Sequence, residues 1–284
     1  MGSLSNYAEN ELVDHLFNAA YSPVAAIYLA LATADPTDTG TGASMSETAN
    51  TNGYGRTAIT FGAAALRKVT QNADVTFPAV TGANWSTAIT HWAIVDSATH
   101  GAGNVLAHGA FTSSFTPVVG NQPVIPSGEV VVEIQATASN GGFTDYAVHN
   151  LLNLMFRNIA FSKPDTYLAL STTVLNDQDV AVADFTEVTG TAYARKQVNP
   201  NGGAAPTWTV ASGGALSNAD AIIFGTAGVV GAGGWTQIVA VAVVSSASGA
   251  GNVIAYDAAN VVDQTPAAND IVRFPAGDFD VALS

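Results

Sequence analysis

Apolar positions along this chain fall first at helical and then at strand spacing, and the sequence of patterns recurs, at first 139 positions later and further on at slightly larger offsets. Leu12, Val13, Leu16 and Phe17 stand at i, i+1, i+4 and i+5, as do Leu151, Leu152, Met155 and Phe156, which lays each quartet along one stripe of a helix. Asn6 and Asp145 precede the quartets as N-caps, and Glu9 follows Asn6 by three residues as in a capping box. About three turns of amphipathic helix are therefore predicted to open each copy. Strand alternation comes next, in residues 26–33, where Ile27, Leu29 and Leu31 alternate with Ala26, Tyr28 and Ala30, and in the matching residues 167–172 after Pro164.

Further strands are predicted at residues 56–61, 75–78, 89–96, 105–111 and 130–134, and in the second copy at 194–198, 208–210, 222–224, 238–245, 253–255 and 279–283. The closing strands alternate most cleanly. Val130, Val132 and Ile134 stand against Glu129 and Glu133, and Phe279, Val281 and Leu283 against Asp278 and Asp280, so one face is packed and one is wet. Tyr54 and Arg56 return as Tyr193 and Arg195, Asn72-Ala73-Asp74 as Asn218-Ala219-Asp220, and Gly101–Val105 as Gly249–Val253. A period this long is a whole domain with its own core, not a stacking repeat. The expected fold is mainly β: two tandem antiparallel β-sandwich domains, jelly-roll-like, at residues 1–140 and 143–284, each opening with one amphipathic α-helix. Residues 135–142 (QATASNGG) form a short polar linker between them.

Composition agrees. The chain has 284 residues, 27 Gly and 11 Pro, and only 11% of its residues are charged, against roughly 25% in an average domain. Its surface must be built largely from Thr, Ser, Asn, Gly and Ala. With 8 basic against 22 acidic residues the net charge is −14, which repels a phosphate backbone and argues against nucleic-acid partners. No cysteine is present, so disulfides and thiolate chemistry are excluded. No apolar run approaches the length of a membrane span, and residues 1–10 lack the basic and apolar regions of a signal peptide. Neither a membrane association nor a cleaved leader is expected.

Candidate chemistry is sparse. None of His15, His91, His100, His108 and His149 has a histidine counterpart in the other copy, and none forms a paired metal-binding spacing. Asp35 with Asp38, and Asp177 with Asp179, open a long polar loop in each copy (residues 35–53 and 176–190), but lack the remaining oxygen ligands of a calcium loop. They are expected to be solvated turns. Arg56 and Arg195 each follow a tyrosine by two positions; each either anchors its loop to a carboxylate or contacts a partner. No nucleophile motif is found. The Gly-rich steps at 101–104 and 249–252 precede strands and read as hairpin turns. Trp85, Trp92, Trp208 and Trp235 could form a glycan platform, but Trp85 and Trp235 are equivalent and read as core anchors. No catalytic residue, cofactor or metal is expected, and the protein is taken to be non-enzymatic.

The succession YAENELVDHLF (7–17), YLALAT (28–33), DPTDTG (35–40), GYGR (53–56), VTFPA (75–79), Trp85, THWAIVD (90–96) and GNVLAHGA (103–110) resembles a family of small tailed-phage virion structural proteins, tail-fibre-like or capsid-associated. The second copy shares the helix, YLALST, AYAR, Trp235 and GNVIA. The resemblance implies a component of the virion, foremost a decoration or cement protein on the assembled head. Its partners would be the major capsid protein or other virion proteins, and it would form a homo-oligomer such as a trimer. A tail-fibre or receptor-binding component is the alternative, and a carbohydrate-binding module is the alternative of another class. Interface candidates are Leu12, Leu16, Phe17, Leu151, Met155 and Phe156 on the helices, with Arg56 and Arg195. Attachment is expected to rest on apolar and neutral hydrogen-bonding contacts.

Overall fold

A computed structural model describes residues 2–85, 87–136, 141–226, 234–257, 265–267 and 269–283. The first copy contains β1 (Gly2–Leu4), α1 (Asn6–Phe17), β2 (Tyr28–Ala32), β3 (Thr57–Ala58), β4 (Lys68–Thr70), β5 (Val75–Thr76), β6 (Ile89–Val95), β7 (Val105–Phe115), β8 (Val124–Ile125) and β9 (Val131–Glu133). The second contains β10 (Gly141–Phe143), α2 (Asp145–Arg157), β11 (Thr166–Ser171), a 3-10 turn (Val182–Asp184), β12 (Lys196–Val198), β13 (Ala215–Ser217), β14 (Ile222–Thr226), β15 (Ala240–Val244), β16 (Val253–Asp257), β17 (Ile271–Phe274) and β18 (Asp280–Ala282). The fold is thus mainly β and repeated, with one helix opening each copy.

The chain divides into two compact units that do not coincide with the two sequence copies. Unit 1 comprises Met1–Glu9, Ser22–Ile134 and His149–Phe161, and unit 2 comprises Asn10–Tyr21, Gln135–Val148 and Ser162–Ser284. Most of each opening helix therefore belongs to the unit built on the other copy's strands.

In unit 1 a curled sheet runs β3-β2-β6-β7-β1-β9-β4, with β5 and β8 paired separately. All pairings are antiparallel except β1 with β9, which meet in parallel at Gly2 and Val132. In unit 2 the sheet runs β10-β16-β15-β11-β12, and β13-β18 and β14-β17 form two-stranded ladders. β15 (AVAVV) is buried on both faces, which explains its unbroken apolar run. On β9 and β18 one face is buried through Val132 and Val281, as the alternation requires.

Several boundaries differ from the sequence reading for identifiable reasons. The caps are Ser5 and Thr144, one residue before Asn6 and Asp145. The amide of Ala8 donates to Ser5 Oγ at 3.3 Å and that of Ala147 to Thr144 Oγ1 at 3.4 Å. Each hydroxyl also donates to a strand carbonyl, Ser5 to Val105 and Thr144 to Val253; an ionised aspartate could not do both. Gly141 and Gly142, read as the end of the linker, form β10 against β16, and residues 137–140 of that linker lie outside the described residues. Residues 208–210 hold only a bridge, Trp208 with Asn218.

The repeat is also offset by one residue from the apparent Asn72/Asn218 match. Gln71, not Asn72, does the work of Asn218. Gln71 Oε1 accepts from Val130 N at 3.2 Å, and Asn218 Oδ1 from Phe279 N at 2.9 Å. Each side-chain amide also donates to a carbonyl two residues ahead, Ala73 and Asp220. Both residues are only 1% exposed, so an amide with donor and acceptor ends is what the buried turn demands. The Gly-rich steps are turns of the β6–β7 and β15–β16 hairpins, as expected.

Candidate functional site

Each long loop is returned to its sheet by one buried constellation. In unit 1, Glu47 lies beside the end of β2, bridged to Ala32. Its carboxylate accepts from Arg56 Nε at 2.8 Å and from Arg56 Nη2 at 2.8 Å, a two-pronged pair, and from the Tyr54 hydroxyl at 2.8 Å. Tyr54 Oη in turn accepts from the Leu31 amide of β2 at 3.0 Å. Arg56 Nη1 donates to the carbonyls of Ser97 and Ala102 at 2.9 and 2.8 Å, tying the loop to the β6–β7 hairpin. The side chain of Arg56 is 0% exposed and that of Glu47 3%. Tyr54 stacks on Phe77 and meets Trp85 edge-on at 5.2 Å.

Unit 2 repeats the arrangement. Glu187 accepts from Arg195 Nε at 2.9 Å, from Arg195 Nη2 at 2.8 Å and from Tyr193 Oη at 2.7 Å. Tyr193 accepts from the Leu170 amide at 2.9 Å, and Arg195 reaches the carbonyls of Ser246 and Gly249, each at 2.9 Å. Phe224 and Trp235 take the places of Phe77 and Trp85. Burial pushes both tyrosine hydroxyls far above their ordinary range, and the neighbouring glutamate charge adds to this; they stay neutral donors. Burial alone would raise Glu187, but hydrogen bonds from Arg195 and Tyr193, with the guanidinium charge, hold it below the usual carboxylate range.

What the copies do not share gathers at the start of the first loop. His108 on β7 sits between two carboxylates, Nδ1 at 3.0 Å from Asp35 Oδ1 and Nε2 at 3.0 Å from Asp38 Oδ1. A carboxylate oxygen only accepts, so each contact is a hydrogen bond when the facing ring nitrogen carries the proton. The Thr37 amide, ahead of the charges of His108 and His91, pulls the Asp35 carboxyl below its ordinary range, against a smaller upward push from burial. The Asp38 carbonyl accepts the Asn6 amide at the start of α1 at 2.9 Å. Glu9, one turn on, is raised by burial and then by the Asp38 charge. In the second copy the residue matching His108 is Tyr256, while Asp177 still accepts the equivalent helix amide, from Asp145.

The loop-opening Asp35 and Asp38 are exposed, as solvated turns require, and also make specific contacts. Asp35 and Asp38 flank a histidine 70 or more positions away, and Asp179 Oδ2 accepts from the Asn176 amide at 2.8 Å. The arginines anchor loops to carboxylates: Arg56 and Arg195 are buried and direct their donors to Glu47, Glu187 and hairpin carbonyls within the fold. Leu12, Leu16, Phe17, Leu151, Met155 and Phe156 are all buried within the chain. Trp85, Trp92, Trp208 and Trp235 are at most 3% exposed, so no glycan platform can be made from them. Glu47 and Glu187 escaped the sequence reading; the signal was a glutamate recurring 140 positions apart shortly before each Tyr-x-Arg. Among the described residues no group of three or more His, Asp or Glu side chains is placed to hold a metal, and no helix is long and apolar enough to cross a membrane.

Beside the first anchor lies a polar hollow of about 250 Å3, lined by Thr33, Glu47, Thr48, Asn52, Trp85 and Thr87 among others. Beyond it the first loop exposes neutral hydroxyls. Thr41 and Ser44 bond to each other at 3.1 Å. A family model described as podophage GP4 fiber I protein gp80 matches residues 3–133 and again residues 142–282. The chain belongs to that family, as a tandem duplication, and is a phage virion structural protein. No curated protein matches it.

Proposed function

We propose that the chain is a fiber component of the virion, which presents the anchored loops 35–53 and 176–190 to a partner protein. The sequence alone ranks this reading second to head decoration. The observation that carries it is the fiber description of the family, matched by both repeats. The geometry supports a presenting role: each loop is pinned by a buried Tyr–Glu–Arg constellation, so little ordering is left to be lost on binding. Neutral hydroxyls and few charges suit contacts that hydrogen-bond without ionic steering.

Copy number tests the assignment. A protein coating the head must approach the major capsid protein in abundance, whereas one confined to fibers is far scarcer. Quantitative mass spectrometry of purified particles is expected to find a small fraction of the capsid protein's copies, and antibody labelling should mark appendages. Parity with the capsid protein and label spread over the head would establish decoration instead.

A further inference from the structure

We propose that the two sequence copies are joined by a reciprocal exchange of their opening helices, so that the chain holds together without its covalent linker. The division between compact units falls inside each helix, after Glu9 in α1 and after Val148 in α2, positions that are equivalent in the repeat.

In unit 2 the body of α1 is bound to loops of the second copy. Asn10 Oδ1 accepts from the Gly214 amide at 2.9 Å, and Asp14 Oδ1 from the Ala211 amide at 3.0 Å. Asn18 accepts from Asn201 N at 2.8 Å and donates to the Thr209 carbonyl at 2.9 Å. Phe17 meets Trp208 edge-on at 4.9 Å. Unit 1 holds the body of α2 in the same way. His149 Nε2 accepts from the Arg67 amide at 3.0 Å, Asn153 Oδ1 from the Ala64 amide at 3.0 Å, and Phe156 meets Phe61 edge-on at 5.5 Å.

The pairs correspond one to one. Asn10 with His149, Asp14 with Asn153 and Phe17 with Phe156 are each 139 apart, while Gly214 with Arg67, Ala211 with Ala64 and Trp208 with Phe61 are each 147 apart. Residue types have changed, yet the first two helix positions remain acceptors of a loop amide and the third remains an aromatic ring set edge-on to another. The apolar stripe is buried in the same stroke, with Leu12, Val13, Leu16, Phe17, Leu151 and Leu152 at 0% exposure. Separating the copies therefore means withdrawing two helices from two cores.

The absence of cysteine makes the test clean. A site-specific protease sequence is inserted between Ala138 and Ser139 of the full chain, which is then cut to completion. Native mass measurement is expected to find a single species at the mass of the whole chain, 28.8 kDa before the insertion, persisting on dilution and parting only in denaturant. Fragments that separate on cutting under native conditions would overturn the proposal. To tie cohesion to the helices, Asn18→Cys and Asn201→Cys are placed in the same cleavable chain and treated with a short bismaleimide. Covalent rejoining of the two fragments on a denaturing gel is expected, and cohesion without rejoining would refute the exchange.

Discussion

Replacing Arg56 by alanine isolates the energetic value of the loop anchor, and the repeat supplies its own comparison. The substitution removes both prongs to Glu47 and leaves that carboxylate, 3% exposed, buried beside a cavity. It also strips the Ser97 and Ala102 carbonyls of their donor. Breaking a buried pair by deleting one partner costs about 3–5 kcal/mol, because the survivor keeps its desolvation penalty. At about 3 °C per kcal/mol for a domain of this size, the transition carrying unit 1 should fall by roughly 10 °C. Arg195→Ala should cost less, since Glu187 is 24% exposed and water can take over part of its solvation.

Scanning calorimetry of the two variants and the parent reads both quantities, and a third variant checks the cause. Combining Arg56→Met with Glu47→Leu removes the stranded charge together with its partner, so it should recover more than half of the loss. A drop of less than about 2 °C for Arg56→Ala, where several kcal/mol are expected, or a larger effect at Arg195, would refute the reasoning. So would a double variant no better than the single one.

Glu9→Gln should stabilise the protein at neutral pH. The folded-state pKa of Glu9 is raised by burial and by Asp38, so its favourable contribution exists only below the ordinary carboxylate range and is lost as pH rises through the raised value. Thermal melts should show a gain at pH near 7 that fades in acid; a gain that grows in acid would contradict this. Gly109→Ala should lower stability markedly, because the added Cβ would fall 2.6 Å from Trp92 Cζ2 and 2.9 Å from Gly2 Cα, at the crossing of β1 and β7. Denaturant melts check it, and an unchanged midpoint would show that the ring can move aside.

The sequence disclosed those elements whose cause is local. Both helices, the long apolar strands and the hairpin turns follow from spacing and turn chemistry. The caps were read one residue late because Asn6 and Ser5 are both good cap residues, and only burial against a strand carbonyl selects the hydroxyl. Strand β10 was hidden because glycine reads as a turn, while Gly141 pairs with Asp257 in a backbone conformation, φ 150°, that glycine tolerates. Other contacts span distances that pattern cannot see. His108 and Asp38 lie 70 positions apart. The apolar stripe on each helix announced that it must be buried, but a stripe is identical whichever copy buries it.

The duplication also separates what holds the fold from what can vary upon it. Tyr54, Glu47 and Arg56 recur as Tyr193, Glu187 and Arg195 with nearly the same distances, although the loops they fasten differ strongly. A constellation that survives while its loop diverges is acting on the loop's root, and selection is then free to change the tip. The histidine clamp shows the reverse case. Asp177 keeps the backbone contact with its helix that Asp38 makes, but Tyr256 stands where the first copy places His108 between Asp35 and Asp38. Residues 200–207 add a further difference, an insertion that accounts for the step from an offset of 139 to one of 147 and carries Asn201 to the end of α1. Two loops with a common root and different tips can meet different partners, which favours a presenting protein whose repeats are not interchangeable. Exchanging residues 35–46 with the equivalent 174–186 while keeping each Glu–Tyr–Arg anchor should then leave both units folded but alter attachment to the particle; unchanged attachment would place recognition elsewhere on the surface.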